Sequence, residues 1–266
     1  MLTISIITPT LNQATFIGST IESVLSQKGD FALEYIVMDG GSIDGTVAIL
    51  EGYGDRIIWR SEPDSGQANA INKGMRLATG DIVAYLNSDD VYLPGALQKV
   101  AAYFARNPDC EWLFGRCRII GREGHEIRRA ITAYKNFWLW IKSRYIYAIE
   151  NFISQPATFW RRSAMVTIGG FDESLHLAFD YDYWMRFWAR FVPGHIKEDI
   201  AEFRWYETSK SGSTYVRQFH EEYEIARQHS APMTAIWLHK LNIYKIIWTY
   251  NLLSRVRRKG HDCQVS

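Results

Sequence analysis

Cysteine is scarce. Cys110, Cys117 and Cys263 stand apart in a chain of 266 residues. They form neither a metal-ligand spacing nor a disulfide framework, so a reducing, cytoplasmic setting is expected. Long apolar runs are also missing, and none reaches the ~18 residues that a membrane span requires. The opening stretch "MLTISIITPTLN" has no basic n-region and no cleavage site, and it reads as a strand and not as a signal peptide. Excess charge is lacking too. A formal net charge of +1 gives no global attraction to nucleic acid. The histidines are scattered without ligand spacing, and there is no internal repeat or low-complexity linker.

What the chain does have is a large apolar complement, with 47% hydrophobic residues, ample for a sizeable core, and 14% aromatic residues. Rings at that density line carbohydrate or membrane-interface surfaces, or simply fill cores. The near-neutral balance hides an asymmetry. From Ile225 onward there are seven Lys/Arg and one acid, a local +6, against 23 basic and 28 acidic residues before it, a local −5. A basic tail on an acidic body suggests an anionic surface as partner.

Periodicity in the first half alternates between strand and helix. Ile4–Thr8, Tyr35–Met38, Ile57–Trp59 and Ile82–Leu86 read as strands. Helical patterns fall at about 14–27, 46–50, 66–78 and 94–106, the last opened by Pro94. This alternation predicts an α/β protein with a mainly parallel, Rossmann-like sheet flanked by helices. Further on, short strands are expected at 112–114, 118–120 and around Pro156. A helix is expected from near Asp180, a polar helix over 215–229, and a long basic, aromatic helix over 232–258.

In open parallel sheets ligands bind beyond the carboxyl ends of the strands. Polar clusters sit at those ends here: "TPTLN" at 8–12, "DGGS" at 39–42, "EPDSG" at 62–66 and "NSDD" at 87–90. Taken singly, each is ordinary turn or cap chemistry. Their recurrence at successive strand ends points to a single site. Its glycines permit close backbone approach to a ligand. Asp39 is suited to accept from a base or ribose. Asp89 is suited to a hard divalent cation shared with phosphate oxygens.

Six ordered stretches, "SIITPTLNQ", "YIVMDGGSIDGT", "SEPDSGQANAINKG", "GDIVAYLNSDD", "GGFDE" and "FDYDYWMR", together resemble family-2 glycosyltransferases of the GT-A fold over about residues 2–210. The resemblance implies an inverting enzyme that moves a sugar from a nucleotide-diphosphate sugar, a UDP-sugar being favoured, to a hydroxyl of a glycan or lipid-linked acceptor, in cell-surface polysaccharide or glycoconjugate synthesis. It implies a catalytic domain over 1–215, with the nucleotide-sugar half at 1–110 and the acceptor half at 111–215. A helical extension then covers 216–266.

Carried over by motif, Thr8, Pro9, Thr10, Asn12 and Asp39 would hold base and ribose, with Asp64 beside the nucleoside and Gln67 next to it. "NSD" takes the place of the family's Asp-x-Asp motif. Asp89 would therefore ligate Mg²⁺ or Mn²⁺, with Asn87 a neutral variant of the usual acid, Ser88 near the donor and Asp90 a supporting residue. The base falls at Asp180, with Asp182 as competitor. The usual Glu before that base is replaced by Phe179, which favours a less readily ionised carboxylate. Where many relatives carry a His, this chain has Tyr206. Ser209 and Lys210 would close over the diphosphate, or belong to a solvated loop. Gln155, Trp160 and the rings of "FWLW" are candidates for the acceptor side, though each ring taken alone is more ordinary as core.

The composition of 233–259 suits peripheral contact with the inner face of the cytoplasmic membrane. A helix packed on the domain and a dimer contact are the competing readings. Two other functions compete with glycosyl transfer. One is a sugar-nucleotide nucleotidyltransferase, for which "TPTLNQATF" lacks a basic triphosphate loop. The other is a non-catalytic nucleotide- or glycan-binding module.

Overall fold

The computed structural model describes residues 1–229 and 231–246. Eight strands form one sheet: β1 (Leu2–Thr10), β2 (Phe31–Asp39), β3 (Ile58–Ser61), β4 (Ile82–Tyr85), β5 (Val91–Tyr92), β6 (Trp112–Ile120), β7 (Thr158–Arg161) and β8 (Gly194–Arg204). Their spatial order is β3-β2-β1-β4-β7-β6-β8-β5. The first four strands pair in parallel, as the alternation predicts. β7 enters antiparallel between β4 and β6, and β8 then runs parallel to β6. Only β5 and β7 thus run against the rest.

The helices of the first half are α1 (Ile17–Leu25), α2 (Thr46–Tyr53), α3 (Gln67–Leu77) and α4 (Ala96–Arg106). α3 lies so close to β1 that a Cβ on Gly74 would stand 2.4 Å from Cγ2 of Ile7. Its Asn72 holds the "GGFDE" turn by both backbone groups of Phe171. The amide accepts from Phe171 N at 2.8 Å and donates to Phe171 O at 2.9 Å. Two motifs about a hundred residues apart are locked together in this way.

The second half adds α5 (Arg129–Ile141), α6 (Arg144–Tyr147), α7 (Arg162–Ile168), α8 (Phe179–Arg190), α9 (Lys210–Ser213) and α10 (Tyr215–Gln228). Residues 233–246 are helical, and the remainder of the long helix expected over 232–258 lies outside the described residues. Two expectations are corrected, and the strand expected around Pro156 begins only after it, at Thr158, with Gln155–Ala157 in a single 3-10 turn. The strands expected at 112–114 and 118–120 are one strand, β6. The ring-dense stretch from 134 onward is largely helical. β8 escaped the sequence reading because a register shift opposite Gly115–Cys117 breaks its alternation, and a bulge of that kind removes the period-two signal.

Trp160 is completely buried, and its ring lies 5.3 Å from that of Trp184 and 5.6 Å from that of Tyr183. The expectation that it lines the acceptor side is therefore wrong. It sits on the strand that joins β4 to β6, where an indole fills core volume.

Candidate active site

A cavity of about 800 Å³ opens at the carboxyl ends of β1 and β4, within the usual range for small-molecule sites. Its lining brings together Pro9, Thr10, Asp64, Gln67, Asn87, Ser88, Asp89, Gln155, Asp180 and Lys210. Residues separated by up to two hundred positions thus share one space.

Three of the residues expected to touch the donor do not line it. Thr8 is fully buried, and its hydroxyl is paired with that of Tyr35 at 3.0 Å. Its strand position points it into the core. Asn12 adopts a left-handed backbone, φ 53°. It ties two loops together, receiving Ile43 N on Oδ1 at 2.9 Å and giving its own N–H to the Ser42 hydroxyl at 2.7 Å. Asp39 is 2% exposed. It accepts from Gly41 N, Ser42 N and the hydroxyls of Ser42 and Ser61. A carboxylate with that many donors is a knot that shapes the "DGGS" loop and joins it to β3.

Asn87 is the hub of a polar network. Its Oδ1 accepts from Gln67 Nε2 at 2.7 Å, and its Nδ2 donates to Asp90 Oδ2 at 3.1 Å and Gln155 Oε1 at 3.2 Å. Gln155 in turn donates to Tyr85 O at 2.6 Å. Lys210 reaches the same network through Gln67 Oε1 at 3.1 Å. Its ammonium lies 5.5 Å from the Phe179 ring, and burial lowers its pKa. Ser209 caps α9, accepting from Gly212 N at 3.2 Å.

The two acids of "NSDD" divide by environment. Asp90 is fully buried. Its Oδ1 accepts from Arg204 N at 2.8 Å, and burial and then the Asp89 charge push its pKa well above the carboxylate range. Asp89 lines the cavity and accepts from the Tyr206 hydroxyl at 3.1 Å. Burial raises its pKa, while Tyr206 and the Arg204 guanidinium oppose the rise. Arg204 pins this loop from β8, donating from Nε to Asp89 O at 2.8 Å and from Nη1 to the carbonyls of Gly121 and Arg122. Sequence reasoning missed Arg204, because β8 itself was not legible.

No group of three or more His, Cys, Asp or Glu side chains is placed to hold a metal among the described residues. A divalent cation fits as an ion held by the Asp89 carboxylate together with phosphate oxygens and water. The side chains do not form a cage of their own.

Asp180 and Asp182 both stand in the first turn of α8, and only Asp180 lines the cavity. Two residues apart, they point to different faces of the helix. Asp182 is paired with Arg186 at 2.9 Å and His229 at 2.7 Å. Asp180 is reached from the cavity yet closely surrounded by protein. Burial raises its pKa to about 6, against the pull of the Tyr181 amide and the charges of Lys135 and Lys210. Phe179, buried against Tyr85 and Phe171, forms part of the apolar surround. The approach to α8 is fixed from α10, where Glu221 accepts from the N–H groups of His176, Leu177 and Ala178 at 3.1, 2.7 and 2.5 Å. Beyond Asp180 the cavity runs between α5 and α10. Glu222 lies there, accepting on Oε1 from Asn151 and Gln218, both at 3.1 Å. Its pKa is raised to about 7 by burial.

A mainly parallel sheet with antiparallel intruders, and a cavity over its carboxyl edge, are the architecture of the GT-A fold. Solved structures with this fold superpose on the chain. Staphylococcus aureus TarS 1–349 in complex with UDP-GlcNAc does so at a TM-score of 0.64 and 21% identity, covering 84% of this chain and 65% of that one. The mannosyltransferase PcManGT of Pyrobaculum calidifontis, in complex with GDP-Man and Mn²⁺, does so at 0.60 and 18%, covering 91% and 69%. The chain spans 39% of the longer TarS structure.

The glycosyl transferase family 2 model matches residues 5–167. An uncharacterised glycosyltransferase of Mycobacterium tuberculosis is 32% identical over 205 residues, 76% of this chain and 74% of the relative. A PGL/p-HBAD biosynthesis glycosyltransferase of Mycobacterium bovis is 29% identical over 188 residues, 68% of each. The chain belongs to glycosyl transferase family 2.

Proposed function

We propose that this chain transfers a glycosyl group, with inversion, from a nucleotide-diphosphate sugar to a hydroxyl of a glycan or lipid-linked acceptor in glycoconjugate synthesis. The observation that carries the reading is the shared cavity. It joins the "NSD" loop, suited to the diphosphate side, to the Asp180 carboxylate at the start of α8.

In this reading Asp180 takes the proton from the acceptor hydroxyl. The oxygen attacks the anomeric carbon from the face opposite the diphosphate, and the bond to the leaving phosphate oxygen breaks. A pKa raised to about 6 leaves Asp180 ionised at neutral pH, yet brings it nearer the working range of a base. Lys210, beside Gln67 and Asn87, supplies positive charge toward the leaving diphosphate. Asp89 would hold the cation, which when bound neutralises charge on that leaving group. The Asn87 network fixes the loop through which the donor is bound.

The neighbours named above hold UDP-GlcNAc and GDP-Man respectively. They support a nucleotide-sugar donor and leave the base to experiment, although a UDP-sugar is the favoured choice. A binding screen of UDP-, GDP- and dTDP-sugars with Mn²⁺ identifies the donor. NMR of the transfer product then reads its anomeric configuration. Inversion is expected, and a retained configuration would overturn the single displacement.

A further inference from the structure

α5 and helix 233–246 lie side by side. Tyr145, just past α5, bonds to Thr234 at 3.0 Å, and a shallow cleft between the two is lined by Tyr134, Trp138, Leu238 and Leu241. The helix turns Ala235, His239 and Ile243 to the protein, with His239 Nδ1 2.7 Å from Ala148 O. Its opposite face carries Met233, Trp237, Leu241 and Tyr244 at i, i+4, i+8 and i+11, all exposed. α5 exposes Phe137, Trp140 and Ile141 in the same manner. Trp140 is 65% and Trp237 63% exposed. Isolated exposed apolar side chains are normal, but a run of large rings on two adjoining helices marks a contact surface.

The charge on this surface selects the partner. Residues 129–147 contain Arg129, Lys135, Lys142 and Arg144 and no acid, and residues 233–246 contain Lys240 and Lys245 and no acid. Glu150, between the helices, is engaged by the Tyr134 hydroxyl and the Asn242 amide. Lys142, Arg144, Lys240 and Lys245 are exposed beside the rings. Trp and Tyr with Lys and Arg, and no acid, is the composition that settles at an anionic lipid interface. A second copy of the chain would instead set this basic face against itself in a two-fold contact. No helix among the described residues is long and apolar enough to cross a membrane, so these helices would lie in the plane of the interface.

The same two helices wall the cavity. Ile131, Tyr134 and Lys135 of α5, with Asn242 and Ile243, line the space that contains Asp180. We infer that α5 and helix 233–246 together form a docking face for an anionic bilayer, and that the cavity beside it receives an acceptor headgroup held in that bilayer. The second clause rests on the glycosyl-transfer reading, whereas the first stands without it.

Vesicle flotation of the full chain tests the face without any assay of transfer. Phosphatidylcholine vesicles with and without phosphatidylglycerol are compared at low and high salt. The chain should float with the anionic vesicles, less so at high salt, and stay down with the neutral ones. Trp140→Glu with Trp237→Glu should lower the bound fraction by about tenfold or more, and Lys142→Glu with Lys240→Glu by about tenfold at low salt. Unchanged thermal midpoints would show that these exposed substitutions leave the fold intact. Absence of flotation, equal flotation with neutral vesicles, or flotation unchanged by both double variants would overturn the proposal. So would a wild-type dimer, seen by sedimentation, that the Trp substitutions dissolve.

Discussion

The Tyr206 hydroxyl donates a hydrogen bond to Oδ2 of Asp89 across 3.1 Å. The bond favours the ionised carboxylate, which burial disfavours. Tyr206→Phe should raise the Asp89 pKa further. Cation-dependent nucleotide binding should then weaken, and weaken more at pH 6 than at pH 8. Calorimetry with UDP and Mn²⁺ at the two pH values reads this. An equal loss at both would mean that Tyr206 acts through shape alone.

Burial raises the Asp180 pKa to about 6, and a base must be ionised to act. kcat/KM should therefore fall as pH drops through about 6, with a slope of one proton. Asp180→Glu should keep that limb at reduced rate, while Asp180→Asn should remove transfer. A pH–rate profile without an acidic limb near 6 would count against Asp180.

Asp182 carries a different expectation. Its ion pair with Arg186 and its hydrogen bond with His229 are only slightly exposed, so Asp182→Asn should cost about 2 kcal/mol of stability. Activity per folded molecule should remain. Urea melts and specific activity separate the two effects.

How much of this was readable before the fold was known differs from one end of the cavity to the other. β1 to β4 announce themselves by apolar runs ended by polar turns, and Asp64, Gln67, Asn87, Ser88 and Asp89 do meet at the strand ends. Thr8 and Asp39 share those motifs but serve the scaffold. A motif records that a residue is required, not which way its side chain turns. Asp180 and Asp182 are separable only once helix phase and the His229 contact are known. Arg204 was hidden by the bulge within β8. Glu221 and Glu222 were hidden because a polar helix looks solvated until its partner is known.

Glu222 gives a test of burial. Its folded pKa of about 7 lies above the ordinary glutamate value. The folded state therefore binds its proton more tightly than the unfolded state does, and stability is lost as pH rises from about 4.5 to about 7. Glu222→Gln keeps an acceptor for Asn151 and Gln218 without the charge. It should stabilise the protein by about 2–3 kcal/mol at pH 8 and by little at pH 4. Urea melts at both values check the sign.

Glu221 ties α10 to the turn that leads into α8 and Asp180. Glu221→Ala frees three backbone N–H groups ahead of α8, at a cost of about 2 kcal/mol. kcat should fall while donor binding holds, because Asp180 loses its fixed placement. A fall in donor affinity with unchanged kcat would contradict that role.

In the proposed reaction Asp180 is the base and the donor is held at the strand ends. The most direct measurement pairs single-turnover transfer with calorimetric binding of the same nucleotide sugar, for the wild-type chain and for Asp180→Asn. Donor affinity should be unchanged, and the transfer rate should drop by about 10³-fold. Near-wild-type transfer by Asp180→Asn would rule out Asp180 as the base.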